Sequence, residues 1–443
     1  MLVVLVLLSL AAATFLSTAV EDAGVSHLLL ERDHLLLGRN SACEQALVQL
    51  QRDGDPVRDF AAPINIPTGD GRPLTVRWEH QHVSRGRLIS SPGLLDESAK
   101  LNLNAIPTET GDPVRERAWL TSLPGIDDRL ADAILDWIDS DATPRPLGAE
   151  QSFYTSRNRN SLPPNHQLEH VAQLADVRGM TPTLLWGTDD TPGLAHYLTV
   201  TSREFSKPGR IDLNQSDLGK LYDELEQSAG PLAAQFVLAY RVAGSLELSE
   251  ERSRFPHAEE SGLPDLFVAQ ERDRPTAGTD RPVRAGISLD VPGTFRVRSY
   301  FDLIGTSVRI RVGTDDRVLS SPWPGDPASC ERSWQDLAMV ATCSSQVVAP
   351  GRVSLRSAPA SVLRCLPDFP AELALAIEHS RRRGLQNPAS LVANGTASLE
   401  QLRRWGPYLT TQGAVFSGTL HLRNAVGLPL TETVLFDISS SDR

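Results

Sequence analysis

The first residues of the chain constrain its fold more than any other segment. Residues 2–20 read LVVLVLLSLAAATFLSTAV, and only Ser and Thr interrupt the apolar run before Glu21 and Asp22. A helix needs about 20 apolar residues to cross a bilayer. The run therefore predicts a transmembrane segment over residues 1–20. A cleavable signal peptide is the alternative, although no basic residues precede the apolar run.

The sequence after Asp22 predicts that the same helix continues. Apolar residues recur at roughly helical spacing from Val25 to Leu50, with charged residues between them. No proline occurs before Pro56. We expect one helix that runs to about Asp53, half in the membrane and half packed on a soluble domain.

Composition limits the classes of partner. The chain has 443 residues and a formal net charge of -12, whereas a duplex-binding protein must neutralise phosphates with Lys and Arg. Its cysteines, Cys43, Cys330, Cys343 and Cys365, lie far apart and have no zinc-binding spacing. Cys330 and Cys343 flank a short segment, so they could form a disulfide, and free buried thiols are the alternative.

The remaining sequence predicts strands at both ends of a helical region. Alternating segments around residues 74–78 and 414–422 are typical of antiparallel strands. Between them, three related starts occur at residues 100–105, 210–215 and 352–357. Two of these starts lead to the pattern L-P-x-apolar-x-x-x-L-A-x-A-I, and the middle copy is degenerate. The chain is therefore predicted to be α+β, with one small helical unit used three times.

The helical pattern is typical of the helix-hairpin-helix, whose DNA-binding form presents backbone N–H groups to a phosphate. Here Asp127 replaces the second glycine of the first unit. In the third unit Asp368 and Phe369 stand in this turn, and Pro370 lacks a donor N–H. Carboxylates repel phosphate, so these units are expected to serve as packing modules.

An acidic stretch follows the first hairpin. Asp136 and Asp139 lie one helical turn apart, Asp141 begins a loop, and Glu150 follows that loop. Several carboxylates that converge on one loop suit Ca²⁺, which takes several oxygen ligands. A solvated acidic helix end is the alternative. The sequence contains no GxSxG, HExxH, P-loop or GxGxxG motif, so we expect no enzymatic activity.

Together these motifs resemble the K-type minor pseudopilins of type II secretion systems (the GspK family). The resemblance is carried by residues 96–104, 133–141, 144–150 with Tyr154, and 174–182, and most specifically by the run DWxDxDxxPRPxGAE. It implies a pilin-like antiparallel sheet with inserted helical (SAM-like or helix-hairpin-helix-like) domains. It also implies a single-pass anchor in the bacterial inner membrane with the soluble domain in the periplasm.

The resemblance further implies a place at the tip of the pseudopilus, in protein export across the outer membrane. There the chain would contact the I- and J-type minor pseudopilins and the secretion machinery, and calcium would bind at Asp139, Asp141 and Glu150. Family members begin with a short basic leader, which the given sequence does not show. Either the start codon lies upstream of Met1, or Met1 occupies the first mature position, in which case Leu5 falls where most pseudopilins have Glu. A membrane-anchored DNA receptor of the ComEA type remains the alternative function.

The resulting domain prediction has seven parts. They are a transmembrane segment (1–20), the amphipathic helix and start of the pilin-like β region (21–100), a first helical insert (101–187), a second helical unit with a linker (188–281), a β-rich segment (282–350), a third helical unit (351–411) and C-terminal strands (412–443).

Overall fold

The computed structural model describes the chain in segments. They are residues 1–52, 55–67, 73–108, 110–157, 161–204, 209–246, 283–289, 293–312, 315–344, 351–381, 384–424 and 429–439. The predicted loop or linker at residues 250–280 lies outside these segments. The predicted α+β class is confirmed by the elements below.

The helices of the described segments are α1 Leu2–Gln51, α2 Pro113–Thr121, α3 Asp128–Ile138, α4 Gln151–Thr155, α5 Pro182–Trp186, α6 Leu218–Ala229, α7 Pro231–Ala243, α8 Cys330–Val340, α9 Ala360–Leu363, α10 Ala371–Ser380, α11 Ser390–Ala393 and α12 Leu399–Trp405. The strands are β1 Ile64–Ile66, β2 Leu74–Ser84, β3 Arg87–Pro92, β4 Leu95–Asp96, β5 Leu101–Asn102, β6 Leu198–Thr199, β7 Ile211–Asp212, β8 Val283–Arg284, β9 Ile287–Ser288, β10 Ser307–Val312, β11 Asp315–Ser320, β12 Ala341–Thr342, β13 Val353–Ser354, β14 Leu409–Thr410, β15 Val415–Arg423 and β16 Pro429–Asp437.

The predicted continuous helix is confirmed, because α1 extends over 50 residues. Its first part is exposed and apolar, and it is long and apolar enough to cross a membrane by length and composition. Further along, the buried positions Leu35, Gly38, Ala42 and Ala46 lie three or four residues apart. This spacing places them on one face, which packs against a sheet.

That sheet has six strands in the described residues, with the order β1-β2-β15-β16, β3 added to β2 and β4 added to β15. All of its pairings are antiparallel, as the sequence predicts. Its inner face and α1 share a core that includes Trp78, Phe416 and Phe436. Trp78 meets Phe436 edge-to-face, with ring centroids 5.5 Å apart. The alternation of inner apolar and outer polar residues fixes the register of the sheet.

Contacts along α1 give the sheet a defined direction relative to the membrane segment. Just past the middle of the helix, Asn424 donates a hydrogen bond from Nδ2 to Glu31 Oε2 at 2.7 Å. One turn past Leu35, Gly38 lies against Leu74 and Leu422, where an added Cβ would overlap Leu74. Asn424 lies just past the end of β15, so the start of β15 is the end of the sheet farthest from the apolar segment.

The helical region is inserted at this membrane-distal end. The chain leaves the sheet after β4 and returns through Ala414 into β15. At the junction, Asp96 accepts backbone hydrogen bonds from Ser98 at 2.8 Å and Gly413 at 3.0 Å. The buried Glu97 accepts hydrogen bonds from Thr199 and Ser417 and an ion pair from Lys100. These contacts join the sheet to the helical region.

The helical region contains three units, each closed by a short parallel ladder. The three starts predicted from the sequence contain the short strands β5, β7 and β13. These strands pair with β6, β12 and β14, respectively. Unit one therefore extends to residue 199, and unit two includes the predicted β-rich segment together with helix α8. One continuous apolar core runs through all three units.

Repeated side chains hold these units closed. Asn104 donates from Nδ2 to the carbonyls of Leu168 and Val200 in unit one. Asn214, at the matching position of unit two, donates to Val297 and Cys343. The third unit has Arg356 at this position instead. Thus the sequence repeat corresponds to a repeated backbone connection, made by an asparagine in two of the three copies.

Buried arginines support the starts of units two and three. Arg241 donates to the carbonyls of Leu213 and Gln215, and Arg381 donates to those of Leu355 and Ala358. Burial lowers the pKa of Arg381 to about 10. The sequence suggests a solvated face for the run at residues 381–383, but Arg381 is an internal donor.

The cysteines of the structure are free. Cys330 begins α8 and is buried, and Cys343 follows β12 and is half-buried. Burial raises the pKa of the Cys330 thiol to about 11. The structure therefore contains free thiols and no disulfide between Cys330 and Cys343.

The close approach of α1 to the sheet predicts a specific effect of substitution. Gly38→Val should lower the unfolding free energy of the full chain in detergent by roughly 1–3 kcal/mol, because the new side chain overlaps Leu74. Gly24→Val is the matched control, since nothing lies within 4 Å of a Cβ at Gly24. Equal melting temperatures for the two variants would contradict this packing.

Candidate metal centre

The acidic stretch of unit one is formed by the end of α3 and the segment that follows it. Asp127 begins α3 by accepting a hydrogen bond from Leu130 N at 2.8 Å, which places Asp132, Asp136 and Asp139 along the helix and its end. The chain then turns back through Pro144 and Pro146 to Glu150, the residue before α4. Gly148 lies so close to the Asp136 carboxylate that a Cβ there would overlap it.

Three carboxylates converge inside this turn. One oxygen each from Asp136, Asp139 and Glu150 lies within 4.8 Å of the others. All three residues are buried, with exposed fractions of 0%, 2% and 2%. Like charges at this separation repel strongly in a poorly hydrated site. The arrangement therefore requires a proton, a cationic side chain or a metal ion.

Arg145 supplies part of the compensating charge. It contacts Asp139, donates from Nη1 to Asp136 Oδ1 at 2.9 Å, and donates from Nη2 to Glu116 Oε2 at 2.9 Å. It also donates to the carbonyl of Thr108 at 2.6 Å. One guanidinium thus serves three carboxylates and leaves Glu150 without an ion pair among the described residues.

The carboxylates respond to this environment. Burial, together with the charges of Asp136 and Asp139, raises the pKa of Glu150 to about 7. Burial also raises the pKa of Asp139 to about 6, although its hydrogen bond from Arg145 opposes the shift. The pKa of Asp136 is raised for the same reason. A cation at this point would favour the ionised forms.

The free oxygen atoms fit a hard cation. Both carboxylate oxygens of Glu150 and Oδ1 of Asp139 are buried and have no hydrogen-bond partner among the described residues. Buried polar atoms in proteins are normally satisfied. Ca²⁺ prefers oxygen donors, and three carboxylates converge here, two of which have free oxygens. The remaining coordination positions of the ion would be open to water or carbonyl groups.

The structure brings together two of the three predicted ligands. Asp139 and Glu150 converge, and Asp136 joins them. Asp141 is exposed, and its Oδ1 accepts a hydrogen bond from Thr143 N at 2.6 Å. The i, i+3 spacing of Asp136 and Asp139 is the sequence feature that could have identified Asp136 as the third ligand. The sequence does not predict a role for Arg145, although this residue is the arginine of the run DWxDxDxxPRPxGAE.

Aromatic and arginine contacts hold the turn in place. Tyr154 is fully buried against Trp137, with ring centroids 5.2 Å apart, and its hydroxyl accepts a hydrogen bond from Arg178 N at 3.0 Å. Arg178 donates from Nη1 to the carbonyl of Gly148 at 3.0 Å. The conformation that brings Glu150 to α3 is therefore supported by residues beyond the acidic cluster.

The hairpin turns differ from a phosphate-binding site. Gly125 of unit one has a φ of +79°, and Asp368 occupies the matching left-handed position in unit three with a φ of +53°. The side chain of Asp127 already caps the Leu130 amide, and Asp128 pairs with Arg117 at 3.1 Å. Carboxylates thus occupy the place of the phosphate, and the DNA-receptor alternative is not favoured.

Residues 99–186, which contain this turn, match the family model described as type II secretion system (T2SS), protein K. The match to this family covers the first helical unit, which contains the acidic turn. This family is a structural class of secretion component and not a class of enzyme.

Two known proteins resemble the chain. A protein of Escherichia coli (strain K12), provisionally named type II secretion system protein K, is 28% identical over 206 residues. That match spans 42% of the chain and 58% of the relative's length. The crystal structure of the GspK-GspI-GspJ complex from enterotoxigenic Escherichia coli contains a chain with 12% identity and a TM-score of 0.40, over 93% of this chain and 92% of that one.

Calcium should stabilise the full chain in a pH-dependent way. Raised pKa values mean that folded Glu150 and Asp139 keep protons that the unfolded chain loses above about pH 4. The metal-free protein should therefore lose stability as the pH rises from about 4 to 7. Since Ca²⁺ competes with these protons, its effect on the melting temperature should be larger at pH 7.5 than at pH 5.

Two variants separate this effect from general ion binding. Glu150→Gln should abolish the calcium response and stabilise the metal-free protein by roughly 1–2 kcal/mol at neutral pH, because it removes one repelling charge. Asp141→Asn should retain the response, because Asp141 lies outside the converging oxygens. A calcium shift that is independent of pH, or that survives Glu150→Gln, would contradict the assignment.

Proposed function

We propose that this chain is a minor pseudopilin at the tip of the type II secretion pseudopilus, where it acts in protein export across the outer membrane. The single observation that carries the proposal is the position of the helical region. The three units emerge from the end of the sheet that is farthest from the apolar segment of α1.

The helical region limits what can be stacked above such a subunit. A fibre built from helix-and-sheet subunits grows by packing each α1 against the next along one axis. In this chain, the distal end of the sheet continues into a body that spans residues 97–413. This body would occupy the place of a subunit above it. A chain with this shape fits the end of a fibre better than its middle.

The proposed location follows from α1. The helix would be anchored once in the bacterial inner membrane by residues 1–20, with the sheet and helical units in the periplasm. The two halves of α1 are continuous, so the membrane segment and the sheet would keep a fixed relation before the subunit leaves the membrane.

The proposed partners are the I- and J-type minor pseudopilins and, through them, the secretion machinery. Beyond the membrane segment, α1 carries an apolar stripe on the side opposite the sheet. Leu30, Leu37 and Val48 on this stripe are exposed by 61%, 64% and 44%. An apolar helix face without a partner in the monomer is suited to packing against the helices of neighbouring subunits.

We also propose that calcium is a structural ion of the subunit. Asp139 and Glu150, with Asp136, would hold it, and Asp141 stays a further candidate from the sequence. The ion would fix the turn between α3 and α4, and it would have no catalytic role.

The stripe on α1 can be tested by co-purification of the full chain with I- and J-type pseudopilins from membranes. Leu37→Asp should reduce recovery of both partners by roughly tenfold, equivalent to about 1.4 kcal/mol of association free energy. Leu232→Asp is the matched control, because Leu232 on α7 is 72% exposed. Full recovery with Leu37→Asp, or equal losses with both variants, would count against the proposed interface.

A further inference from the structure

A second cluster of metal-binding side chains lies in the sheet, apart from the acidic turn. His80 and His82 occupy β2, and their imidazole rings lie with centroids 5.2 Å apart and planes tilted by 35°. Residues two apart on a strand point to the same face, so both rings lie on the inner side together with Trp78. Glu79 and Gln81, which alternate with the two histidines along β2, point to the opposite face of the sheet.

The position of the pair differs from the rest of the sheet. Strand β15 pairs with β2 only from Thr75 to Glu79, whereas β3 continues alongside β2 to Ser84. His80 and His82 thus lie in a two-stranded extension of the sheet, formed by β2 and β3. His80 is buried, with 7% exposed, and His82 is half-buried, so the pair is reached from the side of His82.

Both rings have an unused nitrogen. Nδ1 of His80 and Nδ1 of His82 are buried and have no hydrogen-bond partner among the described residues. Each ring therefore offers its Nδ1 as a free ligand atom, because that nitrogen makes no hydrogen bond in the part of the chain that the structure describes.

The protonation state also suits metal binding. Neutral imidazole, with a free ring nitrogen, is the form that coordinates metals. Two buried nitrogens without partners are costly in a folded protein, and a shared ligand would satisfy both.

We propose that His80 and His82 bind one divalent late transition metal ion through their imidazole nitrogens, with water in the remaining positions. Imidazole is a ligand for Zn²⁺, Ni²⁺ and Cu²⁺, and affinity at a given site is highest for Cu²⁺. This site differs from the acidic turn, whose ligands are oxygens. Calcium would bind at the turn and Cu²⁺ at the histidine pair, and neither site requires the other.

The test is a titration of Cu²⁺ into the full chain in detergent, after removal of bound metal with EDTA. We expect one tight equivalent, and an electron paramagnetic resonance spectrum with hyperfine coupling from two nitrogens. His82→Gln should weaken that equivalent by at least about tenfold, because it removes a ligand and the loss of an outer-shell partner alone typically costs about 10–100-fold. His80→Gln should have the same effect, but His82 is the decisive position because its half-buried side chain is less critical to folding.

His421→Gln is the matched control. His421 lies on the neighbouring strand β15, pairs with Glu79 at 3.3 Å, and faces the outer side of the sheet. This variant should bind Cu²⁺ as the wild type does. Melting temperatures of all variants without metal establish that they fold. A titration of His82→Gln that superimposes on that of the wild type, or weak binding shared by all variants, would overturn the proposal.

Discussion

The packing of α1 on the sheet determines the position of every other element. Its buried face allows the sheet to approach closely at Gly38, and the Glu31–Asn424 hydrogen bond and the Arg39–Glu432 ion pair set the alignment along the helix. Water screens the half-exposed ion pair, so the apolar contact supplies most of the stability. Because the alignment is fixed, the helical units can only emerge at the end of the sheet farthest from the apolar segment. The proposed place in a fibre follows from that geometry.

The helical units share one backbone turn but differ in the side chains around it. The backbone turn is shared by Gly125 and Asp368, which both adopt a positive φ. The side chains around the turn differ, and in unit one they are carboxylates. These acids cap α3 at its start and form the candidate metal centre at its end, so negative charge replaces the phosphate contacts that the same turn could offer. The turn of unit one therefore differs from a phosphate-binding turn in side-chain charge.

Much of this architecture could be predicted from the sequence because its signals are local. The apolar run and the absence of proline before Pro56 predict α1, and the alternation around Trp78 predicts a strand. The ladders that close the three units could not be predicted in the same way, because β5 pairs with a segment about 100 residues later. At the metal centre, spacing identifies Asp139 and Glu150. It does not reveal that Asp141 turns outward to Thr143, because loop geometry depends on Gly148 and on the packing of Tyr154.

The proposed place of this chain at the end of a fibre can be tested by locating it on assembled pseudopili. A gold label attached to a cysteine introduced at Leu232, on the exposed surface of unit two, can be located by electron microscopy. We expect one label at one end of each fibre, because the helical region would block stacking above it. Labels distributed along the length of the fibres, or at both ends, would contradict it.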